Sequence, residues 1–471
     1  MKNESIWNKY RENNTKLLNK FKNIDTDILI IGAGITGIMT AYFLKDTNCK
    51  ITIIDKSQIC TGITSKTTAK ITYLQQDIYR KLTNIHGKTI AKKYYKSQKE
   101  AINIINKIIK DNNIECDYEL VNSILFTNEK NKISKLNEER KILSNYGEKI
   151  KDYQDNFVKH GFMVANTYVF NPIKYLNAIV NIIKDKVSIY EYTIATNIKK
   201  ENNQYIVTTD KGNIRAKKIV IACHYPFFIL PFFFPIKTHI EREYVNSAKI
   251  KNSKKLTLIN IDKDLYSVRY YQDYLIYASN DHKLTNKIDY ANNFEKSKKM
   301  FKKLFNVDSE YTWINQDIIS NDMLPFIGRL KNNMYISTAY NTWGMTSSII
   351  GAKLISDLIQ KKENTYKDLF NPNRINLPLI INSTLGLLNY LKVYIESLFH
   401  KSNPHYVKID GILYGIYKDS NGNNHKIKLI CPHMKCPLVF NQAEKTWDCP
   451  CHGSRFDIDG NIINPPAVKK I

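Results

Sequence analysis

The sequence predicts an α/β dinucleotide-binding domain, an antiparallel sheet beside it, and a small separate domain at the C-terminal side. The first unit follows from residues 27–56, where an apolar strand runs into a glycine-rich turn, a helical stretch and a second strand. The second follows from the strand-like alternation of residues 236–318. The third follows from residues 431–452, which hold four of the eight cysteines and two of the ten histidines. A chain of 471 residues is also too long for one ordinary core.

Charge and composition exclude some classes of partner. The 70 basic and 44 acidic residues give a formal net charge of +26, which suits nucleic acid or an anionic membrane. Lysines and asparagines are spread along the whole chain without an arginine-rich stripe, so we predict no nucleic-acid partner. The N-terminal residues resemble no signal peptide, and the longest aromatic-apolar run, 227–235, is too short to span a bilayer. We therefore expect a cytoplasmic protein.

The glycine-rich turn has the full context of a dinucleotide-binding unit. Gly32, Gly34 and Gly37 form a GxGxxG pattern between a strand and a helical stretch. Gly32 allows the turn, Gly34 lets a pyrophosphate approach the helix N-terminus, and Gly37 allows close packing of helix and strand. Asp55 ends the second strand and is expected to accept ribose hydroxyl groups, with Lys56 beside it in the cofactor site.

The C-terminal motif is Cys431-x-His433 followed, after fifteen residues, by Cys449-x-x-His452. A structural zinc site is one alternative, because two cysteines and two histidines can close a tetrahedron. Each loop, however, supplies one cysteine and one histidine. That arrangement suits two irons that share the loops, with both thiolates on one iron and both imidazoles on the other.

Two further cysteines, Cys436 and Cys451, lie one in each loop, and a zinc site gives no reason for them. With them, "CPHMKC" and "CPCHGS" resemble the two cluster loops of the Rieske domain, over roughly residues 403–471. The resemblance implies a [2Fe–2S] cluster bound by the two Cys–His pairs. It also implies a disulfide between Cys436 and Cys451 that joins the loops.

The Rieske resemblance also has consequences for the reduction potential. It implies that Ser454 donates a hydrogen bond to a cluster sulfide. Rieske proteins of high potential often have a tyrosine two residues later, where this chain has Phe456, so one hydrogen bond that raises the potential is missing. Lys435 stands where a glycine is common, and Pro465 where the third loop usually reads Gly-Pro-Ala. We expect a potential in the middle of the Rieske range or lower.

The first cofactor is predicted to be FAD, because several segments resemble the D-amino-acid-oxidase and glycine-oxidase family. Residues 318–356 contain a strand and then "NTWGMT" at a helix start, which resembles the segment that faces the pyrimidine end of the flavin. Residues 61–72 resemble the second N-terminal segment of that family. Residues 217–227 resemble its return to the FAD, with Cys223 where threonine is common. The resemblance implies cofactor contacts from Lys66, Thr67, Thr68, Gly344, Met345 and Thr346.

Both resemblances together suggest bacterial FAD-dependent oxidoreductases with a C-terminal Rieske domain. The predicted fold is an α/β FAD-binding Rossmann-like domain with an antiparallel-sheet substrate domain (α+β), plus a small all-β Rieske domain. The predicted boundaries are an N-terminal arm at 1–25, an oxidoreductase domain at 26–370, a linker and connector helix at 371–402, and the Rieske domain at 403–471. Within the second unit, the expected FAD-binding parts are 26–72, 145–235 and 320–370, with a helical insertion at 73–144 and a substrate sheet at 236–319.

Two stretches show helical periodicity. Residues 76–112 have Ile90, Tyr94 and Ile108 roughly on one face, which predicts a helix packed on the core. Residues 384–399 have leucine and isoleucine at helical spacing. We favour a connector helix docked on the FAD domain over a helix that lies on a membrane surface.

A flavin accepts two electrons as a hydride, whereas a [2Fe–2S] cluster carries one electron. The predicted function is therefore a flavin-dependent oxidoreductase that takes a hydride from a small organic donor and passes single electrons through the cluster. The acceptor would be an external carrier protein or a quinone.

Three alternatives to this function remain. A Rieske oxygenase would need a two-histidine, one-carboxylate iron site, and no convincing trio follows the cluster. The others are a non-enzymatic redox carrier or sensor and an amino-acid oxidase or dehydrogenase.

The donor is predicted to be an amine or a polyamine-like compound, and not a free α-amino acid. Relatives in the oxidase family commonly place an arginine shortly before an Asp-x-x-Pro-x-x-Gly segment, where it binds the substrate carboxylate. In this chain the segment begins at Asp322, and Asp317, with Gln316 beside it, falls where the arginine is expected. A carboxylate there would attract a cation. The alternative is that Arg242 or Arg269 binds a carboxylate.

The substrate pocket is expected between the flavin and the 236–318 sheet. By position, Trp343, Tyr340 and Tyr225 are candidates for its wall, as is Asp317. Aromatic core packing is the equally plausible reading of the three aromatic residues. His224 is a candidate base, although a structural histidine is the simpler reading.

Overall fold

The computed structural model describes residues 2–11, 21–227, 234–284, 289–398 and 405–471. In these ranges the α-helices are α1 (Ile35–Leu44), α2 (Ile78–His86), α3 (Lys88–Asp111), α4 (Ile133–Asn145), α5 (Pro172–Ile183), α6 (Phe234–Lys237), α7 (Tyr290–Phe305), α8 (Gly344–Ile359) and α9 (Leu377–Leu398).

The strands of the first half of the chain are β1 (Asn23–Ile31), β2 (Ile51–Ile54), β3 (Lys70–Ile71), β4 (Glu119–Thr127), β5 (Lys151–Tyr153), β6 (His160–Val169), β7 (Val187–Tyr190), β8 (Ala195–Glu201), β9 (Gln204–Thr209) and β10 (Gly212–Ile221). Those that follow are β11 (Thr238–Lys249), β12 (Leu256–Asn260), β13 (Tyr266–Tyr271), β14 (Tyr274–Lys283), β15 (Tyr311–Ser320), β16 (Phe326–Lys331) and β17 (Met334–Thr338). The C-terminal strands are β18 (Tyr406–Ile409), β19 (Ile412–Lys418), β20 (Asn424–Lys428), β21 (Val439–Asn441), β22 (Thr446–Asp448), β23 (Arg455–Phe456) and β24 (Ile462–Asn464).

The first sheet is built around the unit β1–α1–β2. Strands β10 and β2 flank β1 in parallel, β7 extends the sheet beyond β2, and β17 and β16 extend it beyond β10. Strands β8 and β9 form a hairpin on β10. Ile28, Leu29 and Ile30 of β1 are all fully buried, as expected when both faces of a parallel strand are covered. The predicted α/β dinucleotide-binding fold is confirmed.

The second sheet has the order β15–β11–β14–β13–β12–β4–β6–β3, with β5 on β6. Its pairs are antiparallel apart from β4 and β12. Strand β4 lies within the stretch predicted as a helical insertion, and β6 lies within the stretch 145–235 predicted to bind FAD; both belong to this sheet instead. The partner of a strand is chosen by pairing across the fold, which local sequence does not encode.

The helical stretch 76–112 is divided into α2 and α3 at Gly87, which has a φ of 84°. Glycine adopts this positive φ readily, so one helix ends here and the next starts in a new direction. Tyr94 and Ile108 are buried as predicted, whereas Ile90 is half-buried. The helices still pack on the core, as the periodicity indicated.

The predicted N-terminal arm contains a buried contact. Residues Ile6–Tyr10 form a short 3-10 helix in which Ile6 and Trp7 are fully buried. Strand β1 already begins at Asn23. Residues 12–20 of the predicted arm lie outside the described residues.

Helix α9 packs against α6 and β11. Its docked side includes Leu379 and Val393, which are 3% and 5% exposed. Residues Leu388, Leu391 and Ile395, which carry the predicted periodic stripe, are instead exposed. The helix therefore docks through a side other than the stripe. No helix in the described part of the chain is long and apolar enough to cross a membrane.

The C-terminal unit consists of two small antiparallel sheets, β18–β19–β20 and β21–β22–β23–β24. Trp447 and Phe456 pair across β22 and β23 in its core, and both are fully buried. Gly415 on β19 lies so close to the indole of Trp447 that a Cβ there would overlap the ring. This unit confirms the predicted small all-β domain.

Candidate functional site

The dinucleotide turn connects β1 to α1 and requires two of its glycines. Gly32 has a φ of 113°, and a Cβ at this residue would collide with the backbone of Ala222. A Cβ at Gly37 would overlap the carbonyl of Gly32. The hydroxyl of Thr64 accepts a hydrogen bond from the backbone N–H of Ile35 at 3.2 Å, at the start of α1. The turn is thus packed as the sequence pattern predicts.

Asp55 holds the turn in place. Its carboxylate accepts hydrogen bonds from the backbone N–H groups of Ala33 at 2.7 Å and Ser57 at 2.8 Å. Burial raises the pKa of this carboxyl. Asp55 and Lys56 both line the cavity at the turn, and Lys56 Nζ donates to the carbonyl of Ile463 in the C-terminal domain. The ribose contact of Asp55 stays a prediction.

The backbone of residues 66–68 is fixed by three large side chains. The indole N–H of Trp313 donates to Lys66 O at 2.7 Å, and that of Trp7 donates to Thr67 O at 2.7 Å. Arg269 donates to Thr68 O at 2.6 Å. Within this trio, Thr67 lines the cavity at the turn, whereas Lys66 and Thr68 do not. Burial lowers the pKa of Lys66 to about 8.

The N-terminus of α8 faces the same cavity. Gly344 and Met345 line it, whereas Thr346 donates to Gln98 at 2.6 Å behind it. Tyr340 also lines it, and its hydroxyl lies 2.8 Å from Thr36 Oγ1. A helix N-terminus is a favourable place for negative charge on a bound cofactor.

The aromatic candidates lie in three different environments. Trp343 lines a second, neighbouring cavity of about 770 Å³. Tyr340 belongs to the wall of the first cavity through its hydroxyl contacts. Tyr225 is 1% exposed and lines neither cavity, and its hydroxyl lies 3.4 Å from Thr238 Oγ1. Tyr225 is therefore a core residue. His224 lines the first cavity, and burial lowers its pKa to about 4.

Asp317 lines the first cavity, and neither arginine of the alternative interpretation does. Arg242 is fully buried and donates to Asp448 at 2.5 Å. Arg269 is fully buried and donates to the carbonyls of residues 68, 69 and 170. Both guanidinium groups are therefore engaged in structural contacts and are not placed to bind a substrate carboxylate.

The sequence interpretation missed a set of polar residues beside Asp317. Asn315, Glu243, Glu241 and Asp281 lie on the three neighbouring strands β15, β11 and β14. The acids Glu241 and Glu243 stand two residues apart in the strand that begins at Thr238. That spacing puts both acids on one face of the strand, so the sequence could have indicated an acidic face here.

In the C-terminal domain, the predicted cluster ligands lie together. The rings of His433 and His452 have centroids 5.3 Å apart and are almost perpendicular. Cys431 and Cys449 are buried, and their interaction lowers the pKa of Cys431 to about 7. Both ring nitrogens of His433 are buried without a hydrogen-bond partner. Such nitrogens need a ligand, and a metal supplies one, so these residues fit the cluster.

The surroundings of the ligands also fit. Cys436 and Cys451 form a disulfide that joins the two loops. Ser454 Oγ accepts a hydrogen bond from Ala467 N at 3.0 Å and also lowers the pKa of Cys431, which places it beside the cluster position. Lys435 has a φ of 59°, the conformation that a glycine adopts readily, which explains why glycine is common at this place.

The two cofactor domains share an interface. Arg242 and Asp448 form an ion pair of 2.5 Å whose side chains are 0% and 1% exposed. Gln316 accepts from Arg242 and donates to Gly453 O at 3.1 Å, next to His452. The C-terminal domain also completes the wall of the first cavity, with residues Ile462, Ile463, Asn464, Pro465, Ala467 and Val468.

Comparisons with known proteins agree with this architecture. Residues 27–358 match the family of FAD dependent oxidoreductases, and residues 389–471 match the Rieske [2Fe-2S] domain. The Rieske 2Fe-2S iron-sulfur protein YhfW of Bacillus subtilis is 30% identical over 96% of this chain and 93% of its own length. The gamma-glutamylputrescine oxidoreductase of Escherichia coli is 21% identical over 72% of this chain and 84% of its own length.

Solved structures show the same fold. Glycine oxidase from Geobacillus kaustophilus superposes with a TM-score of 0.64 at 12% identity, over 75% of this chain and all of the oxidase. The oxidoreductase domain therefore binds FAD, and the C-terminal domain binds a [2Fe–2S] cluster. The chain belongs to the FAD dependent oxidoreductase family and carries a Rieske [2Fe-2S] domain after the oxidoreductase domain.

Proposed function

We propose that the protein oxidises a small amine and passes the electrons singly through its Rieske domain to an external carrier protein or quinone. Bound FAD would accept a hydride, and the cluster would transfer one electron at a time. The observation that carries the proposal is the shared interface. The backbone carbonyl of Gly453, beside the proposed ligand His452, accepts a hydrogen bond from Gln316 of the second sheet. The third loop of the Rieske domain lines the dinucleotide cavity.

Residue roles are part of this proposal. The cluster would be held by Cys431, His433, Cys449 and His452. The FAD would be bound by Gly32, Gly34, Gly37, Asp55, Lys56, Lys66, Thr67, Thr68, Gly344, Met345 and Thr346. Because Lys66, Thr68 and Thr346 do not line the cavity, we assign them to the layer that supports it. No proton-transfer residue is assigned on geometry alone.

An amine donor is supported by the charges around the cavity. Asp317 lines it, whereas Arg242 and Arg269 are held elsewhere. A carboxylate attracts a cationic substrate and repels a free carboxylate. The Escherichia coli relative also carries an amine, gamma-glutamylputrescine, in its name. These observations favour an amine over an α-amino acid.

The test is anaerobic reduction of the holoprotein by matched pairs of amines and amino acids. The flavin and cluster absorption bands are recorded together in a stopped-flow instrument. We expect amines to bleach the flavin band first and the cluster band afterwards, without an added mediator. Faster reduction by the amino acid of each pair would contradict the donor assignment. A cluster that stays oxidised beside a reduced flavin would contradict electron transfer between the domains.

We also propose that this reaction takes place in the cytoplasm. Outside the cluster domain, the structure has Cys49, Cys60, Cys116 and Cys223 as free thiols. Thiols persist in the reducing cytosol. Fractionation of cells that express the tagged protein would check this, since recovery outside the cytosolic fraction contradicts it.

A further inference from the structure

The neighbouring strands β15, β11 and β14 present an acidic face next to the first cavity, the one at the dinucleotide turn. In the antiparallel pair β11–β15, Asp317 stands opposite Glu241, and Asn315 stands opposite Glu243. On β14, Lys283 stands opposite Glu241, and Asp281 lies two residues before Lys283. Paired residues, and alternate residues along one strand, point to the same side of a sheet. The four carboxyl groups, the amide and Lys283, which pairs with Glu241, therefore share one face.

Positive charge accompanies Glu241 in particular: Lys283 is its partner on β14, and Lys283 and Lys81 line the same cavity and help to lower its pKa. Among the described residues, one of the four carboxylates lies within ion-pair distance of a basic side chain: Glu241 is 3.1 Å from His239. Lys70 is close enough to act on Glu243, yet its ammonium group donates to two hydroxyl groups and forms no ion pair with that carboxylate. The charged groups that act on Asp281 and Asp317 are mainly other carboxylates. Such buried carboxyl groups are costly unless a ligand supplies positive charge.

The cost of burying these carboxylates together also raises the pKa values of three of them. Burial raises the pKa of Glu243. Burial and then the neighbouring carboxylates raise the pKa of both Asp281 and Asp317 well above the ordinary range. A bound cation would reverse both effects, because it replaces lost water and separates the like charges.

Asn315 supplies an independent sign of a missing ligand. Its Nδ2 donates to Asp317 at 2.9 Å and to Glu243 at 3.3 Å, and these two acceptors fix the orientation of the amide. The side chain is 4% exposed, and its Oδ1 has no hydrogen-bond partner. This acceptor needs a donor. A flavin edge presents carbonyl oxygens beside its N–H group, which the flanking carboxylates would repel, so an ammonium group is the better partner.

The acidic face extends through two cavities. Asn315 and Asp317 line the cavity of the dinucleotide turn, whereas Glu241 and Asp281 line the neighbouring cavity of about 770 Å³. Within the described ranges, no three of these side chains bring their ligand atoms together around one point as a metal ion requires. Charge that is spread along a path in this way fits an elongated organic cation.

We propose that this face binds an aliphatic diamine or polyamine, with the reacting amino group at Asn315 and Asp317 and the distal ammonium group at Glu241 and Asp281. This inference rests on the proposed function, in which an amine is the hydride donor. The reacting nitrogen first loses a proton to solvent. The adjacent C–H bond then breaks, its hydride goes to the flavin, and the nitrogen lone pair forms the C=N bond of an iminium ion. Water hydrolyses the iminium ion to an aldehyde and ammonium, and the two electrons leave singly to the external carrier.

Binding is tested by calorimetry on the oxidised holoprotein, with 1,4-diaminobutane and 1-aminobutane as matched probes. We expect the diamine to bind at least about tenfold more tightly, because a second charged contact adds roughly that factor. Asp281→Asn should remove about this tenfold advantage and leave the Kd of the monoamine nearly unchanged. Asp317→Asn should weaken both probes. Asp308→Asn, at an exposed carboxylate whose side chain is 80% accessible, is the matched control.

Equal affinity for the two probes, or an unchanged diamine Kd in Asp281→Asn, would overturn the inference. FAD content and circular dichroism check each variant, and Glu241→Gln replaces Asp281→Asn if the latter loses FAD. The flavin reduction assay separates the two proposals. Amine oxidation without diamine preference would leave the proposed function standing and refute the polyamine site. If the diamine binds and its affinity depends on these carboxylates, but no amine reduces the flavin, the proposed function is refuted and the diamine site stands.

Discussion

The two histidines of the C-terminal loops can be tested one residue at a time. Replacing His433 or His452 by alanine removes a proposed imidazole ligand from one iron. We expect each variant to lose the Rieske electron paramagnetic resonance signal and to keep its FAD, because the flavin cavity is built mainly by another domain. His425, which pairs with Asp419 and Asp459 in the same domain, provides the control variant His425→Ala. A signal that survives either ligand change would refute the assignment.

The second prediction for a single residue concerns Phe456 and the midpoint potential of the cluster. Its ring is fully buried beside Trp447 and offers no hydroxyl group to the cluster ligands. Phe456→Tyr should raise the midpoint potential, because a hydrogen bond to a ligand sulfur stabilises the reduced cluster. Rieske centres span roughly −150 to +300 mV, and we expect the unchanged protein in the middle of this range or lower. Redox titration followed by circular dichroism measures the shift. An unchanged midpoint would mean that a hydroxyl group at this position does not reach the cluster.

At the scale of elements, the 3-10 helix Ile6–Tyr10 supports residues 66–68, of which Thr67 lines the cavity at the dinucleotide turn. Trp7 is fully buried and donates to the backbone of Thr67, and the guanidinium centre of Arg269 lies 5.2 Å from the centroid of its ring. Trp7→Ala should lower the free energy of unfolding of the oxidoreductase domain by about 3–5 kcal/mol, as large aromatic truncations in cores do. FAD should also bind more weakly, because residues 66–68 lose one of their supports.

Chemical denaturation followed by flavin fluorescence measures the effect of Trp7→Ala. Trp7→Phe keeps most of the buried ring and loses the hydrogen bond, so it should cost less, about 1 kcal/mol from the bond plus a smaller packing loss. Equal stability of Trp7→Ala and the unchanged protein would show that this helix is not part of the cooperative core.

At the scale of the whole molecule, the ion pair of Arg242 and Asp448 holds the two cofactor domains together. Removing one partner of a buried pair leaves an uncompensated charge and costs about 3–5 kcal/mol. Arg455 also contacts Asp448, at 3.3 Å, so we expect the lower end of that range. Arg242→Ala should slow electron transfer from flavin to cluster more than tenfold in the stopped-flow assay. Arg140→Ala breaks an exposed ion pair and is the control, with an expected cost under about 1 kcal/mol.

The same contact predicts a dependence on pH. Burial alone would raise the pKa of Asp448, but Arg242 and Arg455 outweigh it and lower the pKa from 3.8 to about 2. A carboxyl whose folded pKa is depressed stabilises the protein above its unfolded pKa and loses that contribution as pH falls through the folded value. The domain contact should therefore persist down to about pH 4 and weaken between about 4 and 2. Arg242→Ala should flatten this part of the stability curve. A curve with the same slope in both proteins would exclude this contact as its cause.

The cofactors of this protein could be predicted from its sequence. The GxGxxG turn and the two cluster loops are short, and each is largely built by residues close in the chain. Gly37 must lack a Cβ because the carbonyl of Gly32, five residues earlier, lies against it, and Lys435 adopts its φ of 59° within its loop. Local sequence therefore records part of this geometry. The alternating residues of the second sheet likewise indicated strands, because the period of two belongs to the strand itself.

Only the tertiary structure decided what surrounds those cofactors. Arg242 became an interdomain anchor through Asp448, about 200 residues away in the chain, which no local pattern encodes. Strand β4 joined the second sheet by pairing, not by its own sequence. The acidic face arose because the register of β11 with β15 and β14 sets Asp317 and Asp281 beside Glu241 and Glu243. Contacts between distant segments depend on register and packing, and these are settled by the free energy of the whole fold, whereas turns and metal-binding loops are settled within a few residues.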